Sequence, residues 1–394
     1  MRIVIAKKLL STVGGSEAQA RALARALRER GHDVSLVGLR PPWRRPGIPE
    51  AVYARERGSV EVVEDGIVFR YLPARFGPAG AAIDGVLPTA LVDRQLLVRA
   101  LVDAGAEVVH SIAREWAGPL ERAARETGAA FIETPLVHPG QRWSGAGAGD
   151  VARYRRDDAV IALTEWEASW YRAHGAARVQ VTGVGAILAP FAGIAAVLGS
   201  PRGTSTVLAA LPDRPAEAAT VLFVGRKERY KGYDALRAAA PLVWSERPDA
   251  RFVVIGQSRF LGPRPLADAR WDERGIVGEA EKADAYARST LFCMPSSHET
   301  FGHTYLEAWL AGRPVVAGDI PPLREVVREG IDGLHAANEP GAIARAILAL
   351  LADPESARRM GASGRERAAH WTWAKVAERT EAAYGDGIAW RRGA

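Results

Sequence analysis

Short apolar runs alternate with helix-length amphipathic stretches along this chain, and the alternation runs through twice. The first round opens with the apolar run 2–6 and the pair Gly14-Gly15. Ser16 to Arg30 follow, with Ala18, Ala22, Leu23, Ala26 and Leu27 on one face of a helix. Ser16 reads as its N-cap and Gly31 as its C-terminal stop. A strand is expected at 34–39, and the runs 60–64 and 67–72 around Asp65-Gly66 read as a hairpin. Further strands are expected at 107–111, 129–134, 158–164 and 178–184. The second round begins with the buried run 221–225 and a helix from Tyr233 to Glu246. It continues with strands at 251–256, 275–278, 291–295 and 315–318, and helices over 303–311, 342–352 and 371–384.

Strands separated by helices need crossover connections, which make the sheets parallel and the connections right-handed. The expected fold class is therefore α/β, with two Rossmann-like doubly wound domains facing a cleft. We read residues 1–186 as the first domain and 187–370 as the second. The stretch 186–219, rich in Pro, Gly and Ala, is the expected hinge, and 371–394 a last helix that can pack on either domain. A length of 394 residues, 48% hydrophobic and 25% charged, suits two soluble globular domains.

The net charge of +6 calls for anionic partners: a phosphorylated substrate, an anionic membrane surface or nucleic acid. The basic residues are dispersed and no nucleic-acid-binding motif is present, so nucleic acid is set aside. The lone Cys293, within Leu291-Phe292-Cys293-Met294, precludes an internal disulfide and reads as core. The first apolar run is too short for a signal peptide, so the expected location is cytoplasmic, with peripheral association at the cytoplasmic membrane face left open. Residues 179–201 lack charge, but their glycines and Pro190 argue for a strand and connection rather than a membrane span.

The strongest chemical signal is the segment from Pro295 to Gly312. Glu299 lies in a loop at the carboxyl end of a strand, where ligands of open α/β sheets bind. Glu307 follows eight positions later, about one and a half turns into a helix that begins near Gly302. Two such carboxylates can accept hydrogen bonds from several hydroxyls of one extended ligand. The amides of Phe301 and Gly302 at the helix start can bind an anion. A solvated pair of helix-start charges is the other reading, and the carboxylates alone do not choose. Arg226 and Lys231 follow the strand at 221–225 in a loop that also carries Lys227 and Arg229. Fixed cations there would stabilise a leaving diphosphate, although such runs are commonly solvated loops.

With its intervening Phe301-Gly302, the Glu299/Glu307 spacing resembles the Glu-x7-Glu motif of retaining GT-B glycosyltransferases of family 4 (glycosyltransferase group 1). The loop from Val224 to Gly232 and the continuation through Gly312-Arg-Pro-Val-Val-Ala and Glu325 to Gly333 resemble that family too, so the likeness covers nearly the whole chain. It implies that Glu299 contacts donor-sugar hydroxyls, Glu307 the ribose, and Arg226 and Lys231 the diphosphate. It further implies that residues 1–186 form the acceptor domain and 187–370 the nucleotide-sugar donor domain, that Gly14-Gly15 approach the donor diphosphate and the acceptor, and that His138, after a first-domain strand, reaches the donor sugar. His110, ending another strand, is a weaker candidate.

The implied reaction moves a hexosyl unit from a nucleotide diphosphate sugar of UDP or GDP type to an acceptor hydroxyl, with retention. The donor is a co-substrate and no further cofactor is expected; the acceptor is a glycan, a lipid-linked sugar or a small molecule. No Asp-x-Asp occurs, so no catalytic metal is expected. An epimerase or hydrolase of the same fold, and a non-catalytic sugar-nucleotide-binding protein, are the alternatives. Two departures stand out. The acidic residue and Phe-x-Pro turn usual after Gly185 give way to an apolar insertion to about 212, and Pro41 to Pro46 form a basic, aromatic loop. That loop is open to three readings: acceptor contact, membrane contact or a plain solvated turn.

Overall fold

The computed structural model describes residues 1–41, 44–54, 58–76, 90–141, 144–186, 219–259 and 262–393. They form two compact units, Met1–Gly183 with Trp373–Ala394, and Val184–Thr372. Most of the stretch expected to be the hinge, and two residues of the Pro41 to Pro46 loop, lie outside the described residues.

In the N-terminal unit the strands are β1 (Arg2–Ala6), β2 (Asp33–Arg40), β3 (Val60–Glu64), β4 (Ile67–Phe76), β5 (Ala90–Val92), β6 (Val108–Ile112), β7 (Ala130–Thr134), β8 (Ala159–Ala162) and β9 (Val179–Val181). Among the described residues they make one sheet, ordered β3-β4-β2-β1-β6-β7-β8-β9, with β5 on β4. All pairings are parallel except those of β3 and β5 with β4. Helices α1 (Gly15–Glu29), α2 (Arg94–Asp103), α3 (Ala117–Thr127), α4 (Ala148–Tyr154) and α5 (Glu165–Ala173) connect the strands, and the terminal helix Trp373–Gly393 returns to this unit.

Strand alternation assigns the two layers. Ile3 and Ile5 pack with Leu23 and Leu27 of α1 and with Val376 and Tyr384 of the terminal helix. Val4 and Ala6 pack on the other face with Leu97 and Leu101 of α2 and Leu120 of α3. A parallel strand covered on both faces has to be apolar where it is covered, as β1 is from Ile3 to Ala6. The hairpin turns at Asp65 and Gly66, both with positive φ (51° and 70°), as a two-residue turn between twisted strands requires.

The expected N-cap is corrected. Helix α1 begins at Gly15 and its cap is Gly14 at φ 117°, whose carbonyl accepts Ala18 N at 3.0 Å; the Ser16 hydroxyl instead donates to Glu17. Only a residue without Cβ takes that backbone angle cheaply.

The C-terminal unit contains β10 (Thr220–Val224), α6 (Tyr233–Glu246), β11 (Arg251–Ile255), β12 (Trp271–Arg274), α7 (Glu279–Arg288), β13 (Leu291–Met294), α8 (His303–Leu310), β14 (Val315–Gly318), α9 (Pro321–Val326), β15 (Gly333–Ala336), α10 (Pro340–Ala352) and α11 (Pro354–Ala368). Its sheet is parallel throughout and ordered β12-β11-β10-β13-β14-β15. The strand expected at 275–278 lies four residues earlier. Trp271 anchors it, stacking on Phe252 with ring centroids 5.5 Å apart, whereas Ile276 is exposed. In both units the chain order reverses beside the first strand, between β1 and β6 and between β10 and β13, where doubly wound sheets bind ligands. Cys293 is fully buried in β13, as expected.

Candidate active site

The loops after β10 and β13 bracket the switch point of the C-terminal unit, and backbone contacts lock them together. Ser297 N donates to Tyr230 O at 2.7 Å, and Asn338, beyond β15, donates to Arg229 O at 3.2 Å. Two glycines let adjoining strand ends close in. A Cβ at Gly256 would lie 2.0 Å from the Gly225 carbonyl oxygen, and one at Gly318 would lie 1.8 Å from that of Ser296. Any larger residue at either position would push apart the loops that carry the charged groups.

Within this frame the basic loop separates into two kinds of cation. Lys227 is buried, with Nζ 3.1 Å from Glu273 Oε1 and donating to Arg274 O at 2.7 Å. Burial would raise the Glu273 carboxyl, but donors from Trp271, Tyr233 and Lys227 hold it below its ordinary value. Lys227 thus pins the loop. Arg226 is exposed and donates to the Tyr230 hydroxyl, and half-buried Lys231 forms an ion pair with Glu299. The Tyr230 ring lies between the two cations, 5.7 Å from the Arg226 guanidinium carbon and 5.4 Å from Lys231 Nζ. Three of the expected site residues, Arg226, Lys231 and Glu299, therefore come together around a tyrosine that motif reading did not single out.

Helix α8 begins directly after Gly302, which turns the chain at φ 86°. Phe301 is buried, with its ring edge-on to Trp371 at 4.8 Å, so its side chain serves packing and only its amide can meet a ligand. Glu307, further along α8, is also buried. It accepts from the Tyr286 hydroxyl at 3.0 Å and from Lys282 Nζ at 3.4 Å, both on α7. Burial raises the Glu307 carboxyl above its ordinary value, against the pull of Lys282 and Tyr286. His303 contacts Gly185 O through Nδ1 at 3.2 Å, and burial pushes its imidazole down to about 4.

The remaining expected residues belong to the N-terminal unit. Gly14 and Gly15 are exposed at the start of α1, beyond β1. His138 follows β7 and is half-buried; its carbonyl accepts Gln141 N at 3.0 Å and the Ser144 hydroxyl. The segment ahead of it is held by Glu167, a buried carboxylate of α5 that accepts from Val137 N at 3.3 Å, Leu163 N at 2.7 Å and the Tyr171 hydroxyl at 2.7 Å.

His110 is corrected. It is enclosed in the core, with Nδ1 2.8 Å from the Tyr384 hydroxyl and Nε2 2.7 Å from the Thr134 hydroxyl, and burial pushes its imidazole down to about 3. With both ring nitrogens occupied it is a packing residue. Among the described residues no group of three or more His, Cys, Asp or Glu side chains is arranged to hold a metal ion, and no helix is long and apolar enough to cross a membrane.

Comparison with known proteins bears on what this frame does. The sequence model of the family described as glycosyl transferases group 1 matches residues 212–367, and that of the glycosyl transferase 4-like domain matches residues 14–185. A D-inositol 3-phosphate glycosyltransferase of Catenulispora acidiphila is 31% identical over 365 residues, 84% of this chain and 83% of its own. Sucrose-phosphate synthase from Thermosynechococcus elongatus superposes with a TM-score of 0.72 at 19% identity, over 97% of this chain and 98% of that one. Anabaena HepE, in complex with UDP and glucose, superposes with a TM-score of 0.69 at 16% identity, over 97% and 98%.

Proposed function

The chain belongs to the group 1, family 4 glycosyltransferases of GT-B fold, and from that premise we propose that it transfers a hexosyl unit from a nucleotide diphosphate sugar to an acceptor hydroxyl with retention of anomeric configuration. The observation that carries this reading is the Lys231–Glu299 ion pair at the switch point between β10 and β13. Each partner holds the other until a donor arrives. Lys231 then turns to the diphosphate together with Arg226, and the freed Glu299 carboxylate accepts from the sugar hydroxyls. Glu307 accepts from the ribose hydroxyls, and the amides of Phe301 and Gly302 face the diphosphate.

The bond from the anomeric carbon to the diphosphate oxygen breaks, and its electron pair leaves with the phosphate. Arg226 and Lys231 stabilise that charge as it develops, which is where fixed cations lower a barrier most. The acceptor oxygen bonds to the anomeric carbon on the same face, and its proton passes to the departing phosphate. His138 contributes a polar contact to the donor sugar from the N-terminal unit, and Gly14-Gly15 let the backbone approach the diphosphate. The charge stabilisation comes from side chains, so the reaction needs no metal. The UDP held by the structural relative and the inositol phosphate in the sequence relative's name support a nucleotide sugar and a hydroxyl-bearing acceptor.

The test is product analysis. UDP- and GDP-hexoses are incubated with and without inositol 3-phosphate or other hydroxylated acceptors, and the product's anomeric configuration is read by NMR. An acceptor-dependent glycoside with the donor's configuration is the expected result. An epimerised donor, free hexose released at the same rate without acceptor, or donor binding with no turnover would each overturn it.

A further inference from the structure

The loop after β1 carries two adjacent lysines with opposite circumstances. Lys7 is buried and has two carboxylates, Glu115 at 3.4 Å and Glu17 at 3.7 Å. Lys8 is half-buried, and among the described residues its ammonium makes no hydrogen bond or ion pair. Its backbone is fixed, since Lys8 O accepts Leu39 N at 3.0 Å from β2. Arg45 is brought in from the loop after β2, which is tied to the β1 loop by Ser11 Oγ donating to Pro46 O at 2.8 Å and Thr12 N donating to Gly47 O at 2.9 Å. Three cations thus gather beside two carboxylates, and both carboxylates are engaged by Lys7. Burial holds the Lys8 ammonium below its ordinary value; Glu115 opposes this, and Lys7 and Arg45 add to it.

A partly desolvated charge with no counter-charge opposes folding, and proteins keep such groups where a ligand supplies the missing partner. Lys8 stands just beyond the carboxyl end of β1, at the switch point of the N-terminal sheet. We propose that Lys8 and Arg45 form an anion subsite that takes a phosphate group of the acceptor. The subsite rests on the reading of the N-terminal unit as the acceptor domain. A phosphate monoester on a small sugar alcohol and a phosphodiester in a lipid headgroup offer the same oxygens to these cations.

The test uses the full chain without nucleotide. Calorimetric affinity is measured for inositol 3-phosphate and for inositol, and co-sedimentation for phosphatidylinositol and phosphatidylcholine vesicles, with wild type, Lys8→Gln and Lys8→Arg. Wild type should prefer inositol 3-phosphate over inositol, or anionic phosphatidylinositol vesicles over zwitterionic phosphatidylcholine vesicles, and the arm that responds identifies the source. Lys8→Gln should lose about tenfold or more of that affinity, and Lys8→Arg should keep most of it. Without ligand, Lys8→Gln should melt no lower than wild type, because it removes an unpaired desolvated charge. Equal phosphate affinity in Lys8→Gln, a lowered melting temperature with unchanged affinity, or no binding in either arm by wild type would overturn the subsite. UDP affinity, measured separately, should be the same in all three proteins. Its absence in wild type would remove the donor reading while leaving the phosphate result to stand by itself.

Discussion

Glu307→Gln separates the ribose assignment from a purely structural role for this buried carboxylate. Truncation to Ala would strand the Tyr286 hydroxyl at 3.0 Å and weaken the hold on Lys282 at 3.4 Å. An unsatisfied buried donor costs about 1–3 kcal/mol, and Lys282 keeps Glu279 at 3.0 Å, so Ala should destabilise by roughly 2–3 kcal/mol. Gln keeps the volume and one acceptor for Tyr286, so its fold cost should be near 1 kcal/mol. Nucleotide binding should suffer more. A hydrogen bond to a charged acceptor is worth about 1.5–3 kcal/mol, so Gln should weaken UDP or GDP binding by roughly 10- to 150-fold. Titration calorimetry against the free nucleotide reads this directly, with thermal melts as the folding control. Because burial raises the Glu307 carboxyl, wild-type nucleotide affinity should fall on acidification while ordinary glutamates are still ionised. Without nucleotide the sign reverses: the folded state holds the proton more tightly, so this group's contribution to stability rises as pH falls through that window. A Glu307→Gln protein that is folded and binds nucleotide within about twofold of wild type would refute the ribose role.

Arg226→Ala and Lys231→Ala should each cut kcat about a hundredfold or more, and wild-type activity should survive EDTA; loss on chelation that magnesium or manganese restores would overturn the side-chain assignment. His138→Ala should fold and bind nucleotide normally yet lose most turnover, and wild-type kcat in that variant would make it a loop residue. His110, held neutral at about 3 against an ordinary 6.5, contributes stability above the latter pH that is lost as pH falls towards the former. Denaturation of His110→Gln should therefore show a flatter acid limb than wild type, and parallel limbs would assign that loss elsewhere.

The Glu299/Glu307 signal was legible because strand, loop and helix start occupy one continuous stretch, so spacing alone conveys the geometry. Arg226 and Lys231 were legible for the same reason. Tyr230, Lys282 and Tyr286 were not. Tyr286 and Lys282 reach Glu307 from a helix 21 and 25 positions away, and no local pattern marks them as its partners. His110 misled because a polar residue at a strand end looks poised for ligand, while its Tyr384 partner lies 274 positions along the chain. The misplaced strand at 275–278 has a related cause: Ile276 and Val277 looked apolar enough to pair, but Trp271 had the aromatic neighbours that decide where the strand lies. Strand order itself is a tertiary fact that the alternation of elements implies only as a class.

The terminal helix has a consequence for how this protein comes into being. Val376, Ala377 and Tyr384 complete the layer over Ile3, Ile5 and Ile132, so these strands leave the ribosome well before the segment that covers them. Chains emerge at about 5–20 residues per second, and domains ordinarily close in the order they appear. Here the whole of Val184–Thr372 is made between the start and the finish of the other unit. For that interval, His110 and the apolar face it shares with β7 are without their cover. A nascent chain that has emerged only as far as residue 372 would therefore hold a finished second unit and an unfinished first one, and the exposed face would be the natural point of engagement for a chaperone.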